Sequence, residues 1–467
     1  MWFGLLAAAA TGLSPSCGGD TKEGPCKPGI PGECESGRVC ELVAGGDPAC
    51  FEPLELKGRI LDSADGSGVG GATVAAVDSN GAVRSLLAES AEDGSYVLPI
   101  PTERDEEGKP LAEPVTLRVD AQGYQSFPLP PRTALPVDLG TAVEEPASSH
   151  LVVGNAATDV LLVALEGGAA GLAVVNGRVE GTPASGFLVV AESEGQAVAT
   201  ALTDFGGDFR LFNVPKGDLS VSAFRQGAYA PAQTVTVSEA LVDGVVLPVS
   251  VDGLSKVSGK VSLVNVSGSP PTSVILVLAS TFDPDAVRGE APLGLRAAGV
   301  TNAFEIADVP PGQYAVLAAF ENDGLVRDPD TSIGGTQIVY AEVDGTGAPV
   351  ALDAAFKVTG ALDVVSPGAK GMEFLSTAEP TFTWADDSSE DGYELTVFDA
   401  QGELAYEALD VPKMSGSATV THTWAGATLE PGMIYQFRVR SFHEKKTGER
   451  TYISASEDLK GVFLYQP

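Results

Sequence analysis

Two stretches, GGDFRLFNVPKGDLSVSAF at residues 206–224 and TNAFEIADVPPGQYAVLAAF at residues 301–320, follow the same plan. Each has an aromatic residue, Phe209 or Phe304, with a Val-Pro pair five and six residues later, then a turn glycine and an alternating run. Apolar and polar residues that alternate with a period of two, interrupted by Gly, Pro, Asp and Asn, predict half-buried strands joined by tight turns. These stretches therefore predict a repeated β-sheet unit.

The repeat extends upstream, where each unit opens with a glycine, a basic residue and an aliphatic residue. The openings lie at Gly58 (LKGRILDSADGSGVGGATVAAVDSNG), at Gly177 (VVNGRVEGTPASGFLVVAESEGQ) and at Gly259 (VSGKVSLVNVSGSPPTSVILVLAS). The first unit continues with EDGSYVLPIP around Tyr96. Runs such as residues 187–191 are interpreted as alternating strands with one buried face. Three consecutive β units follow from this pattern.

The three units resemble the carboxypeptidase regulatory-like domain, a seven-stranded, transthyretin-like β-sandwich. The matching positions are Gly58, 71–74, 93–96, 115–119 and 123–124 in the first unit, 203–204, Phe209 and Gly217 in the second, and Phe304, Gly312 and Tyr314 in the third. The resemblance implies the fold only. In this family the module is an accessory domain, and a shared fold does not bring a function with it.

The last hundred residues differ from the repeats. AEPTFTW, DGYELTVFD and LEPGMIYQFRVRS resemble the B, C and F strands of a fibronectin type III domain. The resemblance implies a core built on Trp384 and Tyr393, with Tyr435 as a tyrosine corner whose hydroxyl bonds back to the backbone.

An apolar run at residues 2–10 and small residues up to 16 precede Cys17 in LSPSCGGD. This is about half the ~20 apolar residues that a membrane span needs, and it is typical of an export signal. Small residues followed by Cys resemble the lipobox of bacterial lipoproteins, which implies diacylation of Cys17 and a lipid anchor in a membrane. The alternative is a buried N-terminal helix with an ordinary cysteine.

The other cysteines, Cys26, Cys34, Cys40 and Cys50, lie within 25 residues. In an exported protein, four clustered cysteines predict two disulfides, for which three connectivities are open. A four-thiolate zinc site is the alternative, although the spacing contains no Cys-x-x-Cys pair.

These observations predict an all-β chain of tandem sandwiches, strung end to end as a stalk. The predicted segments are a signal peptide (1–16), a lipidated tether with the disulfide segment (17–52), three transthyretin-like sandwiches (53–168, 169–251 and 252–361) and a fibronectin type III-like sandwich (362–467).

The net charge of the chain and the absence of catalytic motifs limit the functions that can be expected. The 467 residues carry 28 Lys and Arg against 63 Asp and Glu, a formal charge of −35. Such a chain is repelled by phosphate backbones, so nucleic acid is not an expected partner. His150, His422 and His443 form no His-x-x-Glu zinc motif and the chain has no Gly-x-Ser-x-Gly, so we expect no enzyme and no catalytic metal.

Acidic turns are the remaining candidates for an ion. Asp62 and Asp65, Asp283 and Asp285, and the group Asp323, Asp328 and Asp330 put carboxylates on loops. Oxygen ligands on loops suit Ca²⁺, but Asp is also an ordinary turn residue. We therefore expect no cofactor beyond weak Ca²⁺ binding.

Together these features predict a non-catalytic lipoprotein of the bacterial outer membrane. Its expected role is adhesion, ligand capture or scaffolding through loops, with an extracellular polysaccharide or protein as ligand. The alternatives are a periplasm-facing carbohydrate-binding or envelope-assembly protein and, less favoured, an accessory subunit of a hydrolase. The residue directly after Cys17 is Gly18 and not the Asp that retains some lipoproteins at the inner membrane, which favours the outer membrane.

Overall fold

The computed structural model describes residues 25–28, 33–35, 37–78, 82–129, 134–146, 150–264, 272–284, 288–318, 337–387, 389–414, 416–457 and 459–467. Over these residues the chain consists of strands, turns and three single-turn 3₁₀ helices, Leu139–Thr141, Ala156–Thr158 and Ala279–Thr281, without an α-helix. None of these short helices is long or apolar enough to cross a membrane. The predicted all-β class is confirmed, while the predicted signal peptide and Cys17 lie outside the described residues.

The disulfide segment is a small ribbon of β1 (Val39–Glu41) and β2 (Ala49–Phe51), paired antiparallel. Disulfides join Cys26 to Cys40 and Cys34 to Cys50, each with 5.8 Å between the Cα atoms. The two predicted disulfides are confirmed and their connectivity is assigned. With all four sulfurs paired, no thiolate remains for the zinc alternative.

The first sandwich spans residues 54–162. One sheet places β3 between β6 on one edge and β10 and β11 on the other, with β9 beyond β10, and the second runs β5-β4-β7-β8. Its strands are β3 (Leu54–Asp62), β4 (Thr73–Val77), β5 (Ala88–Glu89), β6 (Ser95–Ile100), β7 (Pro114–Asp120), β8 (Val137–Asp138), β9 (Val143–Glu144), β10 (Leu151–Val153) and β11 (Val160–Leu162).

The second sandwich spans residues 172–248. A three-stranded sheet, β15-β12-β18, faces a four-stranded sheet, β14-β13-β16-β17. Its strands are β12 (Leu172–Glu180), β13 (Leu188–Ser193), β14 (Gln196–Leu202), β15 (Asp208–Pro215), β16 (Gly217–Arg225), β17 (Ala228–Val237) and β18 (Leu241–Pro248).

The third sandwich spans residues 255–359. β19 lies between β22 and the pair β25 and β26, and the second sheet runs β21-β20-β23-β24. Its strands are β19 (Ser255–Val264), β20 (Thr272–Leu278), β21 (Arg296–Val300), β22 (Ala303–Val309), β23 (Gly312–Ala318), β24 (Val339–Val343), β25 (Val350–Ala351) and β26 (Phe356–Thr359). The three sandwiches share one topology, in which the opening strand pairs in parallel with the closing strand or strands.

The opening glycine of each unit lies under an aromatic ring on the neighbouring strand. Gly58 pairs with Tyr96, Gly177 with Phe209 and Gly259 with Phe304. A Cβ atom on Gly259 would lie 2.8 Å from the Phe304 ring. At Gly177 it would overlap both the ring of Phe209 and the carbonyl oxygen of Val245. The glycine is therefore required by the close approach of the ring, and the ring covers the gap that the glycine leaves.

The fourth sandwich spans residues 364–465. A three-stranded sheet, β27-β29-β32, faces a larger one ordered β28-β35-β33-β30-β31, with β34 also paired to β33. Its strands are β27 (Val364–Ser366), β28 (Glu373–Leu375), β29 (Thr381–Ala385), β30 (Gly392–Asp399), β31 (Leu404–Pro412), β32 (Thr419–Thr423), β33 (Ile434–Glu444), β34 (Arg450–Ala455) and β35 (Val462–Tyr465).

Three aromatic residues singled out from the sequence lie in the core of this sandwich. The Trp384 and Tyr393 side chains are fully buried, with ring centroids 5.5 Å apart. The Tyr435 hydroxyl accepts a hydrogen bond from the backbone N–H of Glu430 at 2.9 Å. That bond closes the chain back on itself just before β33, in the manner expected of a tyrosine corner.

The first two sandwiches pack sheet against sheet. Ala75 and Val77 of β4 point away from their own core and share an apolar cluster with Leu188 and Val190 of β13. The interpretation of residues 187–191 as a half-buried strand is therefore wrong, because the run is apolar at every position and both faces are buried. The expected end-to-end arrangement is also wrong for these sandwiches, whose broad faces meet.

Arg118 of β7 lies at the point where three sandwiches meet. Its guanidinium donates to Asp120 at 2.8 Å, to Thr200 of the second sandwich at 2.7 Å and to Glu290 of the third at 2.7 Å. Burial alone would lower the pKa of Arg118, but the carboxylates of Asp120 and Glu290 raise it above its ordinary value. The charge is therefore retained between otherwise apolar faces.

A second type of joint occurs twice, at related positions of the repeat. Gly123 donates its N–H to the Asn213 side chain at 2.7 Å, and Gln122 accepts the N–H of Asn213 at 2.9 Å. Likewise Gly227 donates to the Asp308 carbonyl at 2.9 Å, and the Gln226 amide donates to the Ala307 carbonyl at 3.0 Å. Both receiving residues, Asn213 and Asp308, precede a Val-Pro pair and have a positive φ, 56° and 55°. A Gln-Gly hairpin of one sandwich thus docks on the bulge of the next.

We predict that Gly177→Ala destabilises the chain by about 1–3 kcal/mol, because the added methyl group forces the Phe209 ring and strand β18 apart. Chemical denaturation followed by far-UV circular dichroism measures the change. Gly206→Ala is the matched control, since its Cβ atom would meet flexible carboxylates at 3.3 and 3.5 Å. Equal unfolding midpoints for the two variants would contradict this account of the ring and glycine.

We predict that Arg118→Ala lowers the stability of the three-sandwich body by about 3 kcal/mol, because Asp120 and Glu290 lose the charge that compensates them. Calorimetry on the full chain should then resolve an additional transition. Arg178→Ala provides the control, because Arg178 and Asp208 form an exposed pair, and exposed pairs contribute little to stability. A thermogram of Arg118→Ala that matches the control would show that the junction does not couple the sandwiches.

Candidate functional site

A cleft with a volume of about 920 Å³ lies where several segments of the chain meet. The disulfide segment supplies residues 38–42, the first sandwich supplies 83–87 and 101–103, and the second supplies 203–205. Leu293 of the third sandwich completes the lining. We call this space the junction cleft, since it exists only because the segments are docked together.

A buried ion pair holds the disulfide segment in place as one wall of the cleft. Glu41 of β1 accepts a hydrogen bond from Arg104, and both side chains are almost fully buried. Arg104 also donates to the carbonyl oxygens of Glu52 and Gly108, and its guanidinium lies 4.5 Å from the centroid of the Phe51 ring. Because a buried ion needs all of these partners, the ribbon and the first sandwich are fixed to each other.

The cationic groups of the cleft differ in their partners. Arg84 is paired with Glu113 at 2.8 Å, and burial raises the pKa of that carboxyl group although Arg84 opposes the shift. Arg38 is exposed and comes from the disulfide segment. Arg225, at the end of β16, is half-buried and donates to the Ser185 carbonyl oxygen at 2.5 Å. Burial lowers the pKa of Arg225.

Apolar side chains make up much of the remaining lining. Val83, Leu86 and Leu87 come from the first sandwich, and Leu293 from the third. Leu42 and Phe205 are 51% and 43% exposed, which is high for residues of this size and type. The cleft thus combines an apolar surface with arginine side chains, a composition that suits binding more than acid–base chemistry.

A smaller cleft of about 360 Å³ lies between the first two sandwiches. Most of its charged residues already have partners, since Arg118 is paired with Asp120, Arg210 with Glu89 at 3.1 Å and Asp208 with Arg178 at 2.6 Å. We interpret this cleft as part of the joint.

The acidic turns predicted as Ca²⁺ candidates are occupied by their own backbone where the structure describes them. Asp62 accepts the N–H of Ala64 at 2.7 Å and the hydroxyl of Tyr124 at 2.8 Å, and Asp65 accepts the N–H of Ser67 at 2.8 Å. Hydrogen bonds from Ser67 lower the pKa of Asp65. Asp283 lies in a described turn, whereas Asp285, Asp323, Asp328 and Asp330 lie outside the described residues.

The histidines are held by separate partners. His150 contacts Glu55 at 2.8 Å, His422 contacts the Tyr406 hydroxyl at 2.7 Å, and His443 contacts Asp391 at 3.4 Å. In the part of the chain that the structure describes, only Cys26, Cys34 and Cys50 bring three metal-type ligand atoms within 4.8 Å of one another, and these sulfurs are in disulfides.

No protein-family model and no curated protein matches this chain. Among solved structures, a streptococcal ancillary pilin is 12% identical, with 66% of this chain and 99% of the pilin covered at a TM-score of 0.16. A DUF3823 family protein from Bacteroides uniformis is 12% identical over 45% of this chain and 99% of its own, with a TM-score of 0.21. A tetra-tandem repeat from the extending region of a large adhesion protein is 12% identical over 87% of this chain and 100% of its own, with a TM-score of 0.13. At these TM-scores the similarity does not bear on function.

We predict that replacing Cys26 and Cys40 together with Ser weakens the wall of the junction cleft. The lost cross-link closes a loop of 14 residues, and loops of this size contribute about 3 kcal/mol. Limited proteolysis with mass spectrometry should then cleave the segment before β3 faster than in the wild type, while β12–β18 stays protected. Unchanged cleavage rates would mean that the Cys34–Cys50 disulfide and the contacts of Arg104 hold the segment without the Cys26–Cys40 bridge.

Proposed function

We propose that this chain is an exported, non-catalytic protein of the bacterial envelope that captures a ligand in the junction cleft while Cys17 anchors it to the outer membrane. The observation that carries the proposal is the cleft itself, a binding-sized cavity whose walls come from separately folded segments. Cavities at the junctions of domains are frequent ligand sites.

The disulfide segment supports export. Two disulfides within a short segment persist in an oxidising compartment and are rare in the cytosol. The export-like run before Cys17 and the lipobox resemblance point the same way. The formal charge of −35 disfavours nucleic acid as a ligand and keeps such a protein soluble on its tether.

The docked faces of the sandwiches favour ligand capture as the function, and they disfavour a role as a flexible stalk. Arg118, the two Gln-Gly joints and the Glu41–Arg104 pair fix the walls of the cleft relative to one another. A preformed cleft loses little conformational entropy when it binds, which favours affinity. A non-catalytic role is part of the proposal, and it agrees with the absence of Gly-x-Ser-x-Gly and His-x-x-Glu motifs from the sequence.

Protease treatment of intact cells, followed by blotting against the fourth sandwich, tests where the protein acts. We expect wild-type signal to be lost from intact cells, and Cys17→Ala to move the protein out of the membrane fraction. Protection in intact cells, with cleavage only after the outer membrane is ruptured, would favour the periplasm-facing alternative. Unchanged fractionation of Cys17→Ala would contradict the lipid anchor.

A further inference from the structure

The junction cleft contains an arginine without a carboxylate partner among the described residues. Most described arginines lie within 4.0 Å of a carboxylate, namely Arg84, Arg104, Arg118, Arg178, Arg210, Arg296, Arg440 and Arg450. Arg225 differs, since its only hydrogen bond goes to the Ser185 carbonyl oxygen. Its Nε atom is buried and has no hydrogen-bond partner within the described part of the chain.

The surroundings of Arg225 disfavour a guanidinium group without a counter-charge. The guanidinium lies 5.8 Å from the centroid of the Phe187 ring, whose side chain is fully buried. A partly buried cation that lacks a counter-ion, and a buried N–H that lacks an acceptor, both disfavour the unliganded state. A ligand carboxylate in the cleft would supply the counter-charge, because the guanidinium N–H groups that are not bonded to Ser185 can donate to its oxygens.

Three of the carboxylates that line the cleft have partners other than Arg225. Glu41 is bound to Arg104, Glu113 to Arg84, and Asp204 accepts the backbone N–H of Asp208 at 2.8 Å. Glu103 also lines the cleft. These acidic groups, together with the −35 charge of the chain, oppose a polyanion and favour a ligand that presents one carboxylate.

The apolar part of the cleft indicates what accompanies the carboxylate. Leu42 and Phe205 remain about half exposed, and Val83, Leu86 and Leu293 extend the same lining. An aliphatic side chain would bury against this surface, at roughly 25 cal/mol for each Å² removed from water. Peptides combine carboxylates with aliphatic side chains, whereas sugar rings present mainly hydroxyl groups.

We infer that the junction cleft binds a peptide segment, with one carboxylate paired to Arg225 and a neighbouring aliphatic side chain packed against Leu42 and Phe205. This inference rests on the proposed capture function and specifies its ligand class. The carboxylate is either a peptide C-terminus or the side chain of Glu or Asp, two sources with the same chemistry.

Ligand-observed NMR on the full chain, with short peptides as probes, tests the inference. Acetyl-Ala-Leu carries a terminal carboxylate, acetyl-Glu-Leu-amide carries only a side-chain carboxylate, and acetyl-Gln-Leu-amide carries neither. We expect one or both carboxylate probes to bind and the Gln probe to bind at least about tenfold more weakly, the factor that a charge-assisted hydrogen bond supplies.

Arg225→Gln should weaken the binding of the carboxylate probes by a similar factor. Arg178→Gln is the matched control, because it removes an arginine of the same sandwich that is paired with Asp208 and does not line the cleft. If Arg225→Gln fails to fold by circular dichroism, Phe205→Ser at an exposed position of the lining provides a second variant, for which weaker binding of every leucine probe is expected.

Three outcomes would overturn the inference. They are equal binding of all three probes, no binding of any probe, and binding that neither Arg225→Gln nor Phe205→Ser changes. Arg225-dependent binding of a glucuronate oligosaccharide, without peptide binding, would overturn the peptide assignment while the capture function stands. Protease treatment of cells tests where the protein is located and does not measure affinity for a ligand. A failure of the proposed localisation can therefore be distinguished from a failure of peptide binding.

Discussion

The arrangement of the first three sandwiches depends on the burial of one guanidinium group. Arg118 is the charged centre of an interface whose other members, such as Ala75 and Val190, are apolar. A buried charge is tolerated only when donors and acceptors meet with good geometry, so Asp120, Thr200 and Glu290 must each be in place. Apolar faces alone could slide or rotate, whereas these directional bonds select one docking. The walls of the junction cleft inherit their positions from that selection.

The repeat itself carries the second constraint. A hairpin with a Gln-Gly pair follows one strand of the unit, and a residue with positive φ precedes the Val-Pro pair of the next unit. Because both features recur at related places, the first and second sandwiches each present a hairpin to their successor, and the second and third each present a bulge to their predecessor. Two chemically different residues, Asn213 and Asp308, occupy the bulge, and Asn and Asp are the non-glycine residues that tolerate this conformation best. The joint is therefore a property of the backbone, adjusted by side chains.

Local chemistry explains what was predictable from the sequence. Gly177 and Phe209 lie on neighbouring strands, and their spacing within a recurring pattern sufficed to predict the repeat. The pairing of Cys26 with Cys40 was not predictable, because connectivity depends on how the ribbon folds back. The apolar run at residues 187–191 contained a usable signal, since a strand without polar positions indicates burial on both faces. No local pattern marks Arg118, whose partners in the other two sandwiches lie 82 and 172 residues away.

The same reasoning explains why no sequence motif marks the junction cleft. The cleft contains no residue whose neighbours in sequence point to chemistry, since Arg225 ends an ordinary strand and Phe205 lies in a turn. Its composition arises only when Leu42, Val83, Phe205 and Leu293 are brought from four segments to one place. Most described arginines are neutralised by a nearby carboxylate, whereas Arg225 lies without one in a cavity lined by apolar side chains. The composition of this cleft is therefore a consequence of how the sandwiches dock, so that substitutions at the joints should alter its walls as well as the stability of the chain.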